Sequence, residues 1–296
     1  MKIRPLKNPE SFYGSTARSV RMGICMIGLA VPGLSFSETK STLRQETSSC
    51  SKEIAKEEKA QVVLTSTAVG VGAVTVWGVL NWDYFSQSPN RGSEGWFGED
   101  AKHGGVDKLG HMYASYVFSH GLAAFYEHKN FSRYEAGLYG SLTSWAVMSY
   151  VEFGDSFSNF GFSDEDLVMN SAGCLVAYLL YTQPKLARKI DFRVQYGVQP
   201  SQVDFATDYE NMKFLVALKL NGFEALEKTL LKHVEFHYGY YAEGFEDDDK
   251  KKERYTYLGV GINLTDLFRR RGYTKTATVL NYVQVPYTSI NYDSEL

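Results

Sequence analysis

Three apolar segments, Leu109–Tyr126, Ala136–Val151 and Leu167–Pro184, follow one another through short connections, and this succession restricts the fold more than any other feature of the chain. Each is 16 to 18 residues long, and short connections make consecutive helices antiparallel neighbours. Their polar residues gather at particular ends. Gly105-Val-Asp-Lys-Leu-Gly-His111 opens the first segment, Glu152-Phe-Gly-Asp155 closes the second, and Asp166-Leu-Val-Met-Asn170 opens the third. Antiparallel packing brings all three clusters to one end of a bundle. The expectation is a polar site there.

A fourth apolar run precedes them. Ala60–Trp82 holds 23 residues without a charge, enough to span a bilayer, with Gly70, Gly72 and Gly78 placed to admit a close neighbour; a buried core helix meets the same description. Further upstream, Arg18 and Arg21 introduce the uncharged stretch Met22–Ser37, and Ser35 and Ser37 supply the small residues of a secretory cleavage site. These features divide the chain into a signal peptide over 1–37, a polar linker over 38–59 rich in Ser, Thr, Lys and Glu, and a helical bundle over 60–188.

From Lys189 the pattern changes to strand-like alternation. Asp191–Tyr196, Tyr209–Leu220, Val234–Gly244, Tyr255–Leu264 and Thr278–Pro286 are rich in Tyr, Val and Phe and bounded by turn residues, which predicts an antiparallel β meander over 189–296. In the third of these, Val234, Phe236 and Tyr238 share one face and His233, Glu235 and His237 the other. One side of such a sheet packs on the bundle and the other is wet. Five strands are too few for a closed transmembrane barrel. The fold class is thus α+β: a membrane-associated bundle of about four apolar helices followed by the meander.

Composition narrows the functional classes. A net charge of −3 provides no general attraction for nucleic acid, and an aromatic content of 15% suits either membrane-interface belts or tyrosine-rich strands. With a cleaved signal, Cys50 and Cys174 remain, and two unpaired thiols are expected. The acidic connection from Glu152 to Asp166, which lacks Lys and Arg, favours the exported side for the polar end. Glu246–Arg254 reads as a solvated hairpin loop and Arg269-Arg-Arg271 as an exposed helix end or a contact for anionic head groups. No Gly-rich phosphate loop, Gly-x-Ser-x-Gly elbow or Cys-x-x-Cys pair is present.

The candidate chemistry lies in the three clusters. Asp107 and His111 are four residues apart and meet on one helical face, with Lys108 beside them. A carboxylate next to an imidazole can ligate a divalent cation, orient a general base or hold a buried ion pair, while Asp107 could equally cap the helix. Glu152 and Asp155, and Asp166 and Asn170, form further close pairs. Carboxylates held so near one another repel unless a proton or cation is shared. Ser163-Asp-Glu-Asp166 has the spacing of a capping box, and Asn170 within an apolar helix needs hydrogen-bond partners. Asp107, Lys108, His111, Glu152 and Asp155 are therefore the catalytic candidates, Asp166 and Asn170 the ligand-binding ones, and Asp107, His111 and Asp155 the candidate ligands of a divalent cation.

The order Trp96-Phe-Gly-Glu99, Gly105–His111, Glu152-x-x-Asp155-x-Phe-Ser-x-Phe-Gly-Phe-Ser163 and Asp166-x-x-x-Asn170-x-x-Gly173 resembles the YfiM-like family of predicted bacterial periplasmic lipoproteins, a domain of unknown function. The resemblance extends from about Asn81 to Val285 through Tyr209-Glu-Asn-Met, Tyr238-Gly-Tyr240 and Leu258–Leu264. A more distant similarity is to VanZ-like membrane proteins, on which Asp107, Lys108, His111, Glu152, Asp166 and Asn170 correspond to shared motif positions. The resemblance implies an exported, membrane-associated protein of the bacterial envelope, although the chain lacks the lipobox of the lipoprotein members. The expected partner is a membrane lipid or envelope component. Three functions fit: binding or organising that component through the polar site; hydrolysis or transfer on a phosphorylated lipid or glycan carrier, with His111 as base, Asp107 orienting it and Lys108 holding phosphate; or a purely structural role.

Overall fold

A computed structural model describes residues 36–197, 208–246 and 249–296, with side chains from residue 55 onward. The segment read as a signal peptide lies almost wholly outside the described residues. The chain divides into two units, residues 1–62 and 63–296. Helix α1, Phe36–Asn81, begins in the first and continues into the second. The polar stretch 38–59 is helical. Its Glu, Lys, Gln, Arg and Ala are good helix formers, and no Gly or Pro interrupts the chain between Phe36 and Val69.

The bundle continues with α2 (Val106–His128), α3 (Arg133–Asp155) and α4 (Asp164–Thr182). A reciprocal capping box starts α3: the Ser132 hydroxyl accepts from the Glu135 amide at 3.4 Å, and the Glu135 carboxylate accepts from the Ser132 amide at 2.8 Å. At α4 the serine half of the expected box is present, with Ser163 Oγ accepting from the Asp166 amide at 3.2 Å. Two glycines set the helix spacing. A side chain at Gly140 would overlap the backbone of Ser119 and Ala123, and one at Gly173 would overlap the Met112 carbonyl, so α2 lies against both neighbours at backbone distance.

Polar groups occupy the inside of this bundle. Ser144 Oγ donates to the Ser115 carbonyl at 3.0 Å, and the Tyr126 hydroxyl meets both Thr143 Oγ1 at 2.9 Å and Ser66 Oγ of α1 at 2.7 Å. Large apolar side chains, Leu142, Trp145 and Leu175 among them, face outward. Among the described residues only Ala55–Asn81 of α1 is long and apolar enough to cross a membrane. The α+β order of helices and then a five-stranded sheet is present, while a membrane bundle of four apolar helices is not, since the three segments of 16 to 18 residues are marginal for spanning. Serines, threonines and charged residues along α2, α3 and α4 keep these helices below what a span requires.

After the short helix α5 (Pro184–Ala187) come five strands in the order β1-β2-β3-β4-β5, all antiparallel. They are β1 Ile190–Tyr196, β2 Met212–Lys219, β3 Val234–Glu243, β4 Glu253–Ile262 and β5 Ser289–Glu295. Helices α6 (Leu264–Arg270) and α7 (Thr274–Val279) separate the last two strands. Four predicted strands are present, but the fifth lies further along than Thr278–Pro286. There Ala277 and Leu280 are buried at helical spacing, a pattern that alternation over so few residues does not distinguish from a strand.

The free edge of β1 meets residues just before β5: the Val194 amide donates to the Tyr282 carbonyl at 2.9 Å and the Gln284 amide to the Val194 carbonyl at 2.9 Å. Both edges of the sheet therefore reach one stretch of chain, 282–295. On the α2 side, Phe192, Phe214 and Tyr240 pack with Val106, Tyr116 and Leu180 into the main core. The opposite face buries charge. Arg193 Nη1 lies 2.7 Å from Glu235 Oε1 and Nη2 lies 2.7 Å from Asp191 Oδ2, while Lys219 Nζ reaches Asp191 Oδ1 at 2.6 Å. His237 Nε2 is 2.9 Å from Glu235 Oε1, against the bare backbone of Gly261.

Candidate functional site

The starts of α2 and α4 and the end of α3 do converge. At their meeting point Lys108, 0% exposed, has its ammonium enclosed by three carboxylates: Glu94 Oε2 at 2.9 Å, Asp107 Oδ2 at 2.8 Å and Asp166 Oδ1 at 2.9 Å. Only the Glu94 contact is a hydrogen bond in direction as well as length. Both oxygens of buried Asp107 and Oδ1 of Asp166 lack a hydrogen-bond donor. Asp107 caps nothing, since the residue before α2 is Gly105 at φ +82° and no side chain closes that helix start.

His111, one turn further along α2, sits on the open side of this ion cluster. Its Nδ1 is 3.4 Å from Glu152 Oε1 and its Nε2 is 3.9 Å from Asp166 Oδ1, and 20% of its side chain is exposed. Nδ1 is buried without a hydrogen-bond partner. Behind it runs a fixed chain in which Ser115 Oγ donates to Asn170 Oδ1 at 2.8 Å and Asn170 Nδ2 donates to Glu152 Oε1 at 3.1 Å. That chain satisfies the buried amide which the sequence left unexplained, and it fixes the carboxyl facing His111.

Burial and crowding decide the charges. Desolvation, followed by the fields of Asp166 and Asp155, pushes the Glu152 carboxyl up to about 9. Desolvation likewise raises Asp155 to about 7 despite the nearby Tyr84 hydroxyl, and it raises Asp107 against the pull of Lys108. Glu94 moves the opposite way: burial would raise it, but Lys102 and Lys108 hold it well below the usual carboxylate range. Burial would also discharge Lys108, yet Asp107 and Asp166 keep its ammonium charged. His111 is driven toward the neutral imidazole, chiefly by burial.

The geometry redraws the predicted ligand set. One donor atom each from His111, Glu152 and Asp166 lie within 4.8 Å of one another, as do Glu94, Asp107 and Asp166. The second triplet already surrounds the Lys108 ammonium. The first suits a divalent cation, having one imidazole nitrogen, two carboxylates and the undonated Asp166 Oδ1. Asp155 joins neither triplet and stands beside Tyr84. Lys108, walled in by carboxylates and unexposed, presents no face to a phosphate.

Two participants lie outside the three helical clusters. Glu94 lies in an irregular loop fourteen residues before Lys108, and nothing in Ser93-Glu-Gly95 announces it. Tyr209 arrives from the segment before β2; its ring lies against Gly110 and is tilted 52° to that of His103, with centroids 5.0 Å apart. Burial first, then Asp107 and Asp166, raise its hydroxyl. An open cleft of about 410 Å3 adjoins the cluster through Glu94 and is also lined by Lys102, His103, Phe160, Phe245 and Lys252.

Residues 93–182 match the family described as "Predicted periplasmic lipoprotein (DUF2279)". The matched stretch is similar to a bacterial periplasmic domain of unknown function. It contains Glu94, Asp107, Lys108, His111, Glu152, Asp155, Asp166 and Asn170, but not Tyr84, Tyr209 or the sheet. No curated protein matches the chain. No solved structure matches it either. An exported, membrane-associated location in the cell envelope agrees with the family description.

Proposed function

We propose that this envelope protein binds an anionic lipid or cell-wall component at the bundle end through a divalent cation held by His111, Glu152 and Asp166. One observation carries the reading: the ligating triplet brings together His111 Nδ1 and Asp166 Oδ1, both buried without hydrogen-bond partners, and Glu152, beside a Glu94 that lines a cleft presenting Lys102 and Lys252. Burial and the crowding of carboxyls in this region push Asp107, Glu152 and Asp155 toward protonation, so a cation that displaces those protons is favoured there. The cation would then accept the anionic head of the ligand, with the cleft lysines neutralising what remains. Helix α1, by its length and composition, ties the protein to the membrane from which such a component is presented.

The test is a titration of the full chain in detergent with Mn2+, followed by calorimetry and by electron paramagnetic resonance. One ion per chain is expected, and His111→Ala or Asp166→Asn should weaken binding by about tenfold or more. Absence of saturable binding to the wild-type chain defeats the proposal. In cells, a deletion strain complemented with wild type or His111→Ala at matched protein level would be compared for its envelope lipid and glycan profile. Equal rescue by both would remove His111 from any function.

A second reading, hydrolysis or transfer on a phosphorylated carrier, draws on the neutral, one-fifth exposed His111, which has the form a general base needs. Its orienting partners are then Glu152 and Asp166 in place of Asp107. Phosphate contacts would come from the cation and Lys102 in place of Lys108. Phosphate release from an envelope lipid extract, present with wild type and absent with His111→Ala, separates turnover from binding.

A further inference from the structure

The sheet is built inside out for water. Its charged residues Asp191, Arg193, Lys219, Glu235 and His237 are buried, whereas the alternate positions beyond the reach of α2 are apolar and exposed. Cross-strand register makes these one surface. Tyr238, Leu258 and Tyr292 stand opposite one another across β3, β4 and β5, and Phe236, Val260 and Ile290 form the adjoining row. Exposure rises away from the bundle, from 58% at Tyr238 to 64% at Leu258 and 85% at Ile290. A half-wet antiparallel sheet normally puts its polar side toward solvent. The reversed arrangement is favourable only where the medium outside is itself apolar, as on the lipid face of membrane strands.

Charge at the rim specifies which medium. β4 ends at Ile262 and leads directly into α6, whose last turn and exit carry Arg269, Arg270 and Arg271, all exposed. Just before β3, exposed Leu230 and Leu231 are flanked by Lys228 and Lys232, and the Asn263 amide donates to the His233 carbonyl at 2.8 Å, joining the two basic segments at the same end of the face. At the opposite end, the β3–β4 turn and the end of β5, charge is balanced: Lys251 pairs with both Glu253 and Glu295 at 2.8 Å. An apolar surface with a cationic margin matches an anionic bilayer, whose head groups attract Lys and Arg as the acyl region accepts the side chains beyond them.

We propose that the outer face of β3, β4 and β5 docks onto an anionic phospholipid bilayer, with the α6 arginines among the head groups. This contact is independent of the cation site. It holds the cleft at a fixed height over the membrane, because α2 packs on the same sheet through Phe192, Phe214 and Tyr240.

The experiment uses the full chain with its three cysteines replaced by serine and a nitroxide placed by Leu258→Cys or, in parallel, Ile290→Cys. The chain is reconstituted into vesicles of phosphatidylglycerol and phosphatidylethanolamine or of phosphatidylcholine alone. In anionic vesicles both labels should become more accessible to dissolved oxygen than to a water-soluble nickel chelate, while a label introduced by Glu246→Cys stays in water. Arg269→Glu with Arg271→Glu should move the Leu258 and Ile290 labels back toward water, and 0.5 M salt should do so in part. Labels that remain in water in every vesicle overturn the proposal. Labels that leave water only as the protein-to-lipid ratio rises, with dipolar coupling between nitroxides, also overturn it and identify a second copy as the occupant.

Discussion

Among the described residues, the buried charge clusters around Arg193 and around Lys108 are finished differently. Around Arg193 the account closes at the carboxylates: its two terminal nitrogens reach Glu235, Gln284 and Asp191, Lys219 takes the other Asp191 oxygen, His237 adds a second contact to Glu235, and Arg193 Nε alone in this cluster lacks a partner. Around Lys108 it stays open, because Asp107, Asp166 Oδ1 and His111 Nδ1 are buried without hydrogen bonds and three carboxyls are pushed toward protonation. Both clusters bear the desolvation cost of ions in a low-dielectric interior. One offsets it internally, which suits a structural device. The other leaves it for a proton or a cation, which suits a site.

The comparison breaks most sharply at the central cation of each. Arg193→Met strands Asp191 and Glu235, and Glu235 is otherwise held below its usual range by His237 and Arg193 against the effect of burial. A loss of about 3–5 kcal/mol is expected from denaturant unfolding. Lys108→Met should cost less, about 1–3 kcal/mol at pH 6, because Asp107 and its neighbours take up protons in place of the ammonium. The sign with pH follows from their raised values. Folded carboxyls that bind protons more tightly than the unfolded chain lose stability as pH rises, so the Lys108→Met penalty grows from pH 6 to pH 8. Equal penalties in the two clusters, flat with pH, would erase the distinction.

A smaller effect sharpens it. Glu152 titrates near 9 in the folded protein, against an ordinary value near 4.5, so it withdraws stability as pH climbs between those values. Glu152→Gln keeps the shape and removes that withdrawal. The variant should match the wild type below pH 4 and exceed it by on the order of 2 kcal/mol at pH 9, read from the melting temperature across pH. It should also lose Mn2+ affinity. In the wild type, Mn2+ binding should strengthen from pH 6 to pH 9 and release about one proton, seen as a buffer-dependent heat. A Gln variant that is less stable at pH 9 would mean that Glu152 is charged and structural.

What was legible in the sequence follows the same division. Periodicity placed α2, α3 and α4 and four of five strands, and antiparallel packing brought Asp107, His111, Glu152 and Asp166 to one end, since these depend on local pattern and short connections. Glu94 was illegible because an irregular loop delivers it from outside the bundle, and Tyr209 was legible only within the family-like Tyr209-Glu-Asn-Met, with nothing local to place it beside the cluster. The role of Lys108 was illegible as well: spacing puts a lysine beside Asp107, but only the fold shows three carboxylates closing over it. The direction of the sheet was half legible. Alternation separated Glu235 and His237 from Phe236 and Tyr238, and nothing local could say that the charged set would turn inward.

The least of the expected effects tests how far the site depends on its scaffold. Ser163 caps α4 by accepting from the amide of Asp166, the residue whose carboxylate is shared by Lys108 and His111. Ser163→Ala should cost about 1 kcal/mol of stability. If the cap only ends a helix, Mn2+ affinity will be unchanged, because Lys108 still fixes the Asp166 carboxylate. If the cap sets the first turn of α4, Asp166 shifts relative to His111 and affinity falls by more than the stability loss accounts for. The first result is expected, since Asp166 Oδ1 lies 2.9 Å from an ammonium that two other carboxylates hold in place.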